Sequence, residues 1–276
     1  MKILVLGANG FLGRHTVEVA RDRGYEVNGY DNSPGIDGFD ESEQLDILEI
    51  GPKHLDGYDR VYHLAGQLGT AETFGNESRV VETNINGTLG VLEAARATNT
   101  PITYVTLGND WLNPYTITKN AAADFCRMYL EYHKLPVQIV ITYNIYGPYQ
   151  KWSPIRKIVP TFMQTLLTEN RVEINGTGDQ VVDLVFARDF ANEMLDIKKF
   201  GTCHVGTGHP ISVKQVAGLC AKALGIENYH TEFLPPRLGE PVDSVSLSPH
   251  TYEHTKETPY EEGLGITAQY YRSVIQ

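Results

Sequence analysis

The chain has 276 residues, 41% hydrophobic and 21% charged, an ordinary globular composition with length for one large domain or two intimate ones. Its formal net charge of −11 argues against a nucleic-acid partner or an anionic membrane surface, while a local basic pocket still suffices for a phosphorylated small molecule. Cys126, Cys203 and Cys220 are far apart and odd in number, and no stretch approaches the roughly 18 apolar residues of a membrane span, so a cytoplasmic protein with reduced, buried thiols is expected.

Lys2–Leu6 is a short apolar run rich in strand formers. It opens into Gly7-Ala8-Asn9-Gly10-Phe11-Leu12-Gly13, and a helical pattern follows. Strand, glycine turn and helix form the setting in which backbone N–H groups and a helix N-terminus hold a pyrophosphate. Gly7 allows the tight turn, Gly10 lets the backbone approach a ligand, and Gly13 permits close helix–strand packing. The spacing is G-x-x-G-x-x-G, for which an ordinary tight turn is the alternative. A second strand over 25–30 ends at Asp31-Asn32. An acid about 20 residues past such a turn accepts hydrogen bonds from ribose hydroxyls and repels a 2′-phosphate, so Asp31 favours NAD over NADP. Taken alone, Asp31 could simply start the polar loop 31–38.

Residues 60–66 read as a strand running into a small-residue turn, and 84–88 lead into a helix over 89–97. A strand over 101–107, a helix over 117–130 and a buried strand over 136–141 follow. This βαβα order implies a doubly wound parallel α/β sheet with its ligand at the carboxyl ends of the strands. After about residue 145 the texture changes. Gly147-Pro148 and Pro154 punctuate a loop, 158–167 looks helical, and 172–174 and 181–186 look like short strands. Ser212 caps a helix over 213–224 that Gly225 ends, Pro235-Pro236 is a loop, and the tail carries weak signals. The expected organisation is a Rossmann domain over 1–145, with 181–204 returning to it, and a smaller, mainly substrate-binding domain over 146–276.

Tyr115-Thr116-Ile117-Thr118-Lys119 is a Y-x-x-x-K. On a helix, residues four apart share a face, so phenol and ammonium can reach one ligand. A neighbouring ammonium favours the phenolate and lowers the tyrosine pKa. Such a tyrosine can take a proton from a sugar hydroxyl while the carbon gives hydride to a nicotinamide, and Lys119 can also bond the nicotinamide ribose. A surface helical pair is the bland alternative. The nine histidines show no metal-ligand spacing, and no metal is expected.

With these pieces in place, the chain resembles the extended short-chain dehydrogenase/reductases, in the NAD-dependent sugar-nucleotide epimerase/dehydratase family, along nearly its whole length. The matching residues are the turn at 7–13, Asp31, Asp46-Ile47, His63-Leu64-Ala65-Gly66, Asn84 with Gly87-Thr88, and Tyr115 with Lys119. Beyond them lie Tyr143-Asn144-Ile145-Tyr146-Gly147-Pro148, Gly206-Thr207-Gly208 and Pro236-Arg237-Leu238-Gly239-Glu240. The resemblance implies NAD kept bound and recycled. Gly7, Asn9, Gly10, Phe11, Leu12, Asp31, Asn32, Asp46, Ile47, Leu64, Ala65, Gly66, Asn84, Tyr115, Lys119 and Tyr143 would hold it. It also implies a nucleotide-sugar substrate between the domains, with Asn144 and Glu240 on the substrate and Arg237 paired with its diphosphate. A surface salt bridge between Arg237 and Glu240 is the alternative. A homodimer is implied through the helices after Gly87 and around 115–130, where Phe125, Met128 and Tyr129 supply either an interface patch or core.

Three departures from the family pattern stand out. The hydroxyl that family members place on the strand before the tyrosine falls on Thr106 or, one residue on, on Leu107, which can neither donate nor accept a hydrogen bond. The nine residues from Thr106 to Tyr115 make a short loop, which should open the site. Finally, the Asp-Glu pair of the 4,6-dehydratases is replaced by Leu107-Gly108 or Gly108-Asn109, with Asp110 close by, and the family's Arg-Asp near the phosphates by Val182-Asp183. Arg188 would point elsewhere if 181–186 is a strand. The leading expectation is an NAD-dependent epimerase acting at C4 of a nucleotide sugar through a transient 4-keto sugar, with Tyr115, Lys119 and Thr106 as catalytic residues. A dehydratase or 4-keto reductase of the same family, or a non-catalytic NAD-binding regulatory protein, is the alternative.

Overall fold

The computed structural model describes residues 1–34, 42–249 and 256–275, so the expected 31–38 loop lies outside the described residues beyond Ser33-Pro34. In chain order the first part contains β1 (Lys2–Leu6), α1 (Phe11–Asp22), β2 (Glu26–Asp31), β3 (Ser42–Gln44), α2 (Pro52–Leu55), β4 (Arg60–His63), α3 (Glu77–Val81), α4 (Gly87–Thr98), β5 (Ile102–Leu107), α5 (Pro114–Tyr132) and β6 (Val137–Thr142). There follow β7 (Asn144–Tyr146), α6 (Ile158–Glu169), β8 (Arg171–Asn175), β9 (Val181–Phe186), α7 (Ala187–Asp196), β10 (Gly201–Val205), β11 (Pro210–Ser212), α8 (Val213–Ala223), β12 (His230–Leu234), β13 (Val245–Ser246) and α9 (Tyr260–Val274).

Seven strands form one sheet in the order β10-β6-β5-β4-β1-β2-β3, and every pair is parallel. Strands buried on both faces favour apolar residues; β1 is such a run after Lys2, while in β5 and β6 the buried polar Thr103 and Gln138 satisfy each other by a hydrogen bond. Val91, Leu92, Ala122 and Cys126 of α4 and α5 cover one face with Leu4, Ile102 and Ile139. Val17, Ala20, Phe190 and Met194 of α1 and α7 cover the other with Ile3, Val5 and Val140. The strand order reverses between β1 and β4. The chain leaves β1 towards β2 and β3, and leaves β4 towards β5 and β6, so a crevice opens beyond their carboxyl ends.

Strand β9 carries β11, β13 and β7, while β8 pairs with β12. Helices α6, α8 and α9 pack on these strands around Phe162, Met163, Ile174, Val216, Leu264 and Tyr271. Ser212 caps α8 through a reciprocal bond pattern with Gln215, as its position implies.

The structure departs from the sequence expectations at several elements, and three of them show why. The helix expected at 117–130 begins at Pro114, since proline is preorganised for a first turn and Asn113 caps it, accepting from the Thr116 N–H at 2.8 Å. A π-helical turn at Glu82–Asn86 precedes α4. The weak tail forms α9 because Leu264, Thr267, Ala268 and Tyr271 bury one face, which overrides the low propensity of Gly263 and Gly265. No disulfide joins the three cysteines: Cys126 and Cys220 are buried, and Cys203 is partly buried. Among the described residues no helix is long and apolar enough to cross a membrane.

Candidate active site

The crevice is built by close backbone approach. Gly7 has φ +86°, and a Cβ there would lie 2.7 Å from the Ala65 nitrogen, so the turn after β1 rests on the turn after β4. A Cβ on Gly13 would lie 2.0 Å from the Gly7 carbonyl oxygen. Gly10 differs: a Cβ there meets only that oxygen, at 3.1 Å, and its outer side is open. Gly10 is also the N-cap of α1, with no side-chain cap and no acid in the first turn, so Phe11 and Leu12 bring an uncapped helix N-terminus to the crevice.

Asp31 accepts from the Asn9 and Ser33 backbone N–H groups, each at 2.9 Å, and an ionised carboxylate retains further lone pairs for ribose hydroxyls. The Asn9 side chain is engaged within the scaffold, donating to the Ser33 carbonyl and accepting from Ser42. The Asn32 carbonyl accepts from Gln44. Asp46 caps the short turn Ile47–Glu49, and Ile47 packs where a side chain on Gly87 would intrude. Leu64, Ala65 and Gly66 follow β4. Asn84, 2% exposed, accepts from the Gln67 N–H and donates to the Gln67 carbonyl and the Thr118 hydroxyl. It therefore braces the turn after β4 against α5. The open cradle at Gly10, the uncapped helix and the carboxylate at the end of β2 fit a dinucleotide.

Tyr115 lies in the first turn of α5, and burial pushes its phenol up to about 12. Lys119 is buried, with its ammonium 4.1 Å from the centre of the Tyr104 ring, and burial pulls it down to about 7. The expected lowering of Tyr115 by Lys119 is therefore corrected. Helical spacing puts both side chains on one face, but Lys119 turns inward onto Tyr104, and burial dominates at Tyr115. The cation over the Tyr115 ring is Lys157, whose Nζ lies 5.7 Å from its centre. Burial pulls Lys157 down to about 8. Lys157 directly precedes α6 and belongs to no motif, so nothing local in the sequence marks it.

The Thr106 hydroxyl is buried and donates to the Lys119 carbonyl at 3.3 Å, within the layer between β5 and α5. Leu107 ends β5 partly buried, and Asp110 is exposed. The Tyr143 ring covers Gly108, where a Cβ would lie 2.5 Å from the ring, and its hydroxyl pairs with His204 Nδ1 at 2.9 Å. Asn144 opens β7 opposite Leu184.

Arg237 does not form the alternative salt bridge with Glu240. Its Nη2 donates to both carboxylate oxygens of Glu72, at 2.6 and 2.8 Å, while the Glu240 N–H donates to the Arg237 carbonyl. Burial works against the Glu72 charge, yet its hydrogen bonds and Arg237 hold its carboxyl below the usual range. Burial raises Glu240, against the pull of Arg237 and Lys157. Val182 is in the core, and Asp183 is fully buried, accepting from the Thr207 N–H and hydroxyl and from the Gly208 and Ser248 N–H groups. Arg188 pairs with Asp22 of α1. On α5, Tyr129 is core, while Phe125 and Met128 line an open groove with Ala121 and Asp124. Among the described residues no three His, Cys, Asp or Glu side chains are grouped to hold a metal ion.

Comparison with known proteins adds to this geometry. Residues 3–110 match the NAD dependent epimerase/dehydratase family, and residues 110–254 match GDP-mannose 4,6 dehydratase. The chain is 25% identical to a UDP-glucose 4-epimerase of Mycolicibacterium smegmatis over 100% of both chains. It is 27% identical to a dTDP-glucose 4,6-dehydratase of Neisseria meningitidis, over 98% of this chain and 93% of that one. In fold it matches the UDP-glucose 4-epimerase of Thermotoga maritima solved with UDP-glucose, at a TM-score of 0.88, 24% identity and 100% coverage of both chains. These relatives carry out both epimerisation and dehydration.

Proposed function

The chain belongs to the NAD-dependent epimerase/dehydratase family, and on that premise we propose that it is an NAD-dependent epimerase acting at C4 of a nucleotide sugar. NAD, when bound, supplies a hydride acceptor that becomes the donor within the same cycle. The Gly7–Gly10 turn and the start of α1 would hold its pyrophosphate, Asp31 its adenosine ribose, and Asp46 and Ile47 its adenine edge. Asn84 braces this site, and Tyr143 walls it above Gly108.

Tyr115 takes the C4 hydroxyl proton and returns it after the 4-keto sugar has turned over. Its phenol starts near 12, so the phenolate needs a cation, which Lys157 over its ring would supply, while Lys119, turned onto Tyr104 one helical turn on, would bond the nicotinamide ribose. Thr106 acts as a positioning residue for Lys119, through the carbonyl it bonds. Asn144 and Glu240 would contact the substrate and Arg237 its diphosphate. The same reading divides the chain functionally into 1–145 with 181–204, and 146–276, although within 181–204 only α7 and β10 belong with the large sheet, while β9 pairs in the smaller one. It makes the protein a cytoplasmic homodimer paired through the Ala121, Phe125 and Met128 groove.

The observation that carries epimerisation over dehydration is the end of β5. Leu107-Gly108-Asn109 offers no acid pair for an elimination, and Asp110 is exposed. A dehydratase reading keeps support from the match of residues 110–254 to GDP-mannose 4,6 dehydratase and, within the site, from Glu240, whose carboxyl burial raises. The test is to denature the purified protein, identify any released dinucleotide, and follow UDP-, GDP-, dTDP- and CDP-sugars by NMR with the native protein. Bound NAD and a C4 epimer are expected. Tyr115→Phe should lower turnover by about 100-fold or more while NAD stays bound. Loss of the C6 hydroxyl would favour the dehydratase, and bound NAD without conversion of any sugar the non-catalytic alternative.

A further inference from the structure

The turn at 236–240 is fastened across the start of α5 by two unrelated contacts. Asn113, which caps α5, donates from its side-chain amide to the Gly239 carbonyl at 2.9 Å. Gly239 has φ +75°, and a Cβ there would lie 2.8 Å from both Asn113 Cβ and the Phe74 ring, so the turn is seated between those side chains with no room to spare. The second fastening is Arg237 on Glu72, and both side chains keep partial contact with solvent. Glu72 also accepts from the Arg156 N–H at 3.2 Å, and the charges of Glu72, Arg237 and Glu240 all act on Lys157, which stands over Tyr115. The turn and its ion pair thus lie at the mouth of the Tyr115 site.

We propose that Glu72 is an internal counter-ion that competes with the substrate diphosphate for Arg237, so that the turn stays fastened over the site until a nucleoside diphosphate takes the place of the carboxylate. This rests on the reading of Arg237 as the diphosphate ligand. A single guanidinium nitrogen serves both oxygens of Glu72, in place of the fork in which two nitrogens bond two oxygens. A diphosphate offers more charge and more acceptor oxygens, and can satisfy the fork. The displaced carboxylate is not stranded, because it reaches water and remains beside Lys157. Glu72 therefore sets a threshold: a ligand without a diphosphate gives no compensation for breaking the pair. Discrimination between nucleotide-linked and free sugars is built into the loop after β4, outside the Y-x-x-x-K helix.

Calorimetric titration of the NAD-loaded protein with UDP, dTDP, GDP and CDP, and with the matching nucleosides, tests this. Glu72→Gln keeps the shape and removes the charge. It should tighten binding of the preferred nucleoside diphosphate roughly tenfold and leave the nucleoside unchanged. Glu72→Asp, which keeps the charge one methylene short, should tighten it less. In an Arg237→Ala background the gain from Glu72→Gln should vanish. If Arg237→Ala weakens diphosphate binding but Glu72→Gln does not strengthen it, the competition is wrong while the role of Arg237 stands. If Arg237→Ala changes nothing, or no diphosphate binds, the assignment of Arg237 fails and the counter-ion role falls with it.

Discussion

At the scale of single residues, burial outweighs neighbouring charge. Lys119 is the clearest case, because its ammonium has exchanged water for the face of Tyr104, and a ring face returns only part of the hydration lost. Its pKa of about 7 lies below the unfolded value, so between about pH 7 and 10.5 the unfolded chain holds a proton that the folded chain has released. Stability therefore rises with pH across that window, and the full cost of the buried charge is present below pH 7. Lys119→Met removes the cost. The variant should exceed the wild type in stability at pH 6, with the gap shrinking by pH 9, as read from urea midpoints at the two values. A constant gap would mean that Lys119 does not titrate in this window. The i, i+4 spacing of Tyr115 and Lys119 is legible in the sequence because it is a property of the helix. The direction each side chain takes within that face depends on Tyr104, which arrives from another strand.

At the scale of elements, the turn from β1 into α1 is the most constrained piece of the fold. A methyl group at Gly13 would overlap the Gly7 and Ala8 carbonyl oxygens, and backbone atoms have no rotamer through which to yield. Gly13→Ala should cost about 2 kcal/mol or more of stability and strip the dinucleotide from the purified protein. Urea unfolding with assay of the released cofactor reads both effects, and a stable, NAD-loaded variant would show that α1 can shift away. This turn was readable because all its determinants sit within seven residues. Helix α9 was not, since its glycines argue against a helix locally. Gly263 is nonetheless required there, because a Cβ would collide with the Tyr146 hydroxyl of β7. The start of α5 was misplaced by three residues although Asn113 and Pro114 are an ordinary cap and first-turn pair.

At the scale of the whole molecule, Asp183 joins segments distant in sequence. From β9 it accepts hydrogen bonds from Thr207 and Gly208, after β10, and from Ser248, after β13. The carboxylate is fully buried and meets N–H and O–H donors on all sides, so it is anchored by hydrogen bonds. Asp183→Asn would turn an amide NH2 towards those donors and should cost about 3 kcal/mol by denaturant unfolding. A loss below about 0.5 kcal/mol would show that these segments are held elsewhere. The position matches the second member of the family's Arg-Asp pair, and its partner is Val182 in the core. The cation over the Tyr115 ring is Lys157, on whose charge Arg237 acts, and both come from the second half of the chain.

The sequence by itself determined the parallel sheet, the crevice at its switch point, the dinucleotide turn and the tyrosine–lysine helix. Each of these depends on residues that are neighbours along the chain, where periodicity, glycine placement and spacing carry the physics. Only the tertiary structure decided which cation stands over Tyr115, what Arg237 binds, that the Thr106 hydroxyl is committed to the backbone of α5, and that Asp183 is an internal anchor. Those outcomes depend on burial and on partners from 13 to 165 residues away, as with Thr106 and Lys119 or Glu72 and Arg237, and local pattern cannot encode a distance that only packing creates.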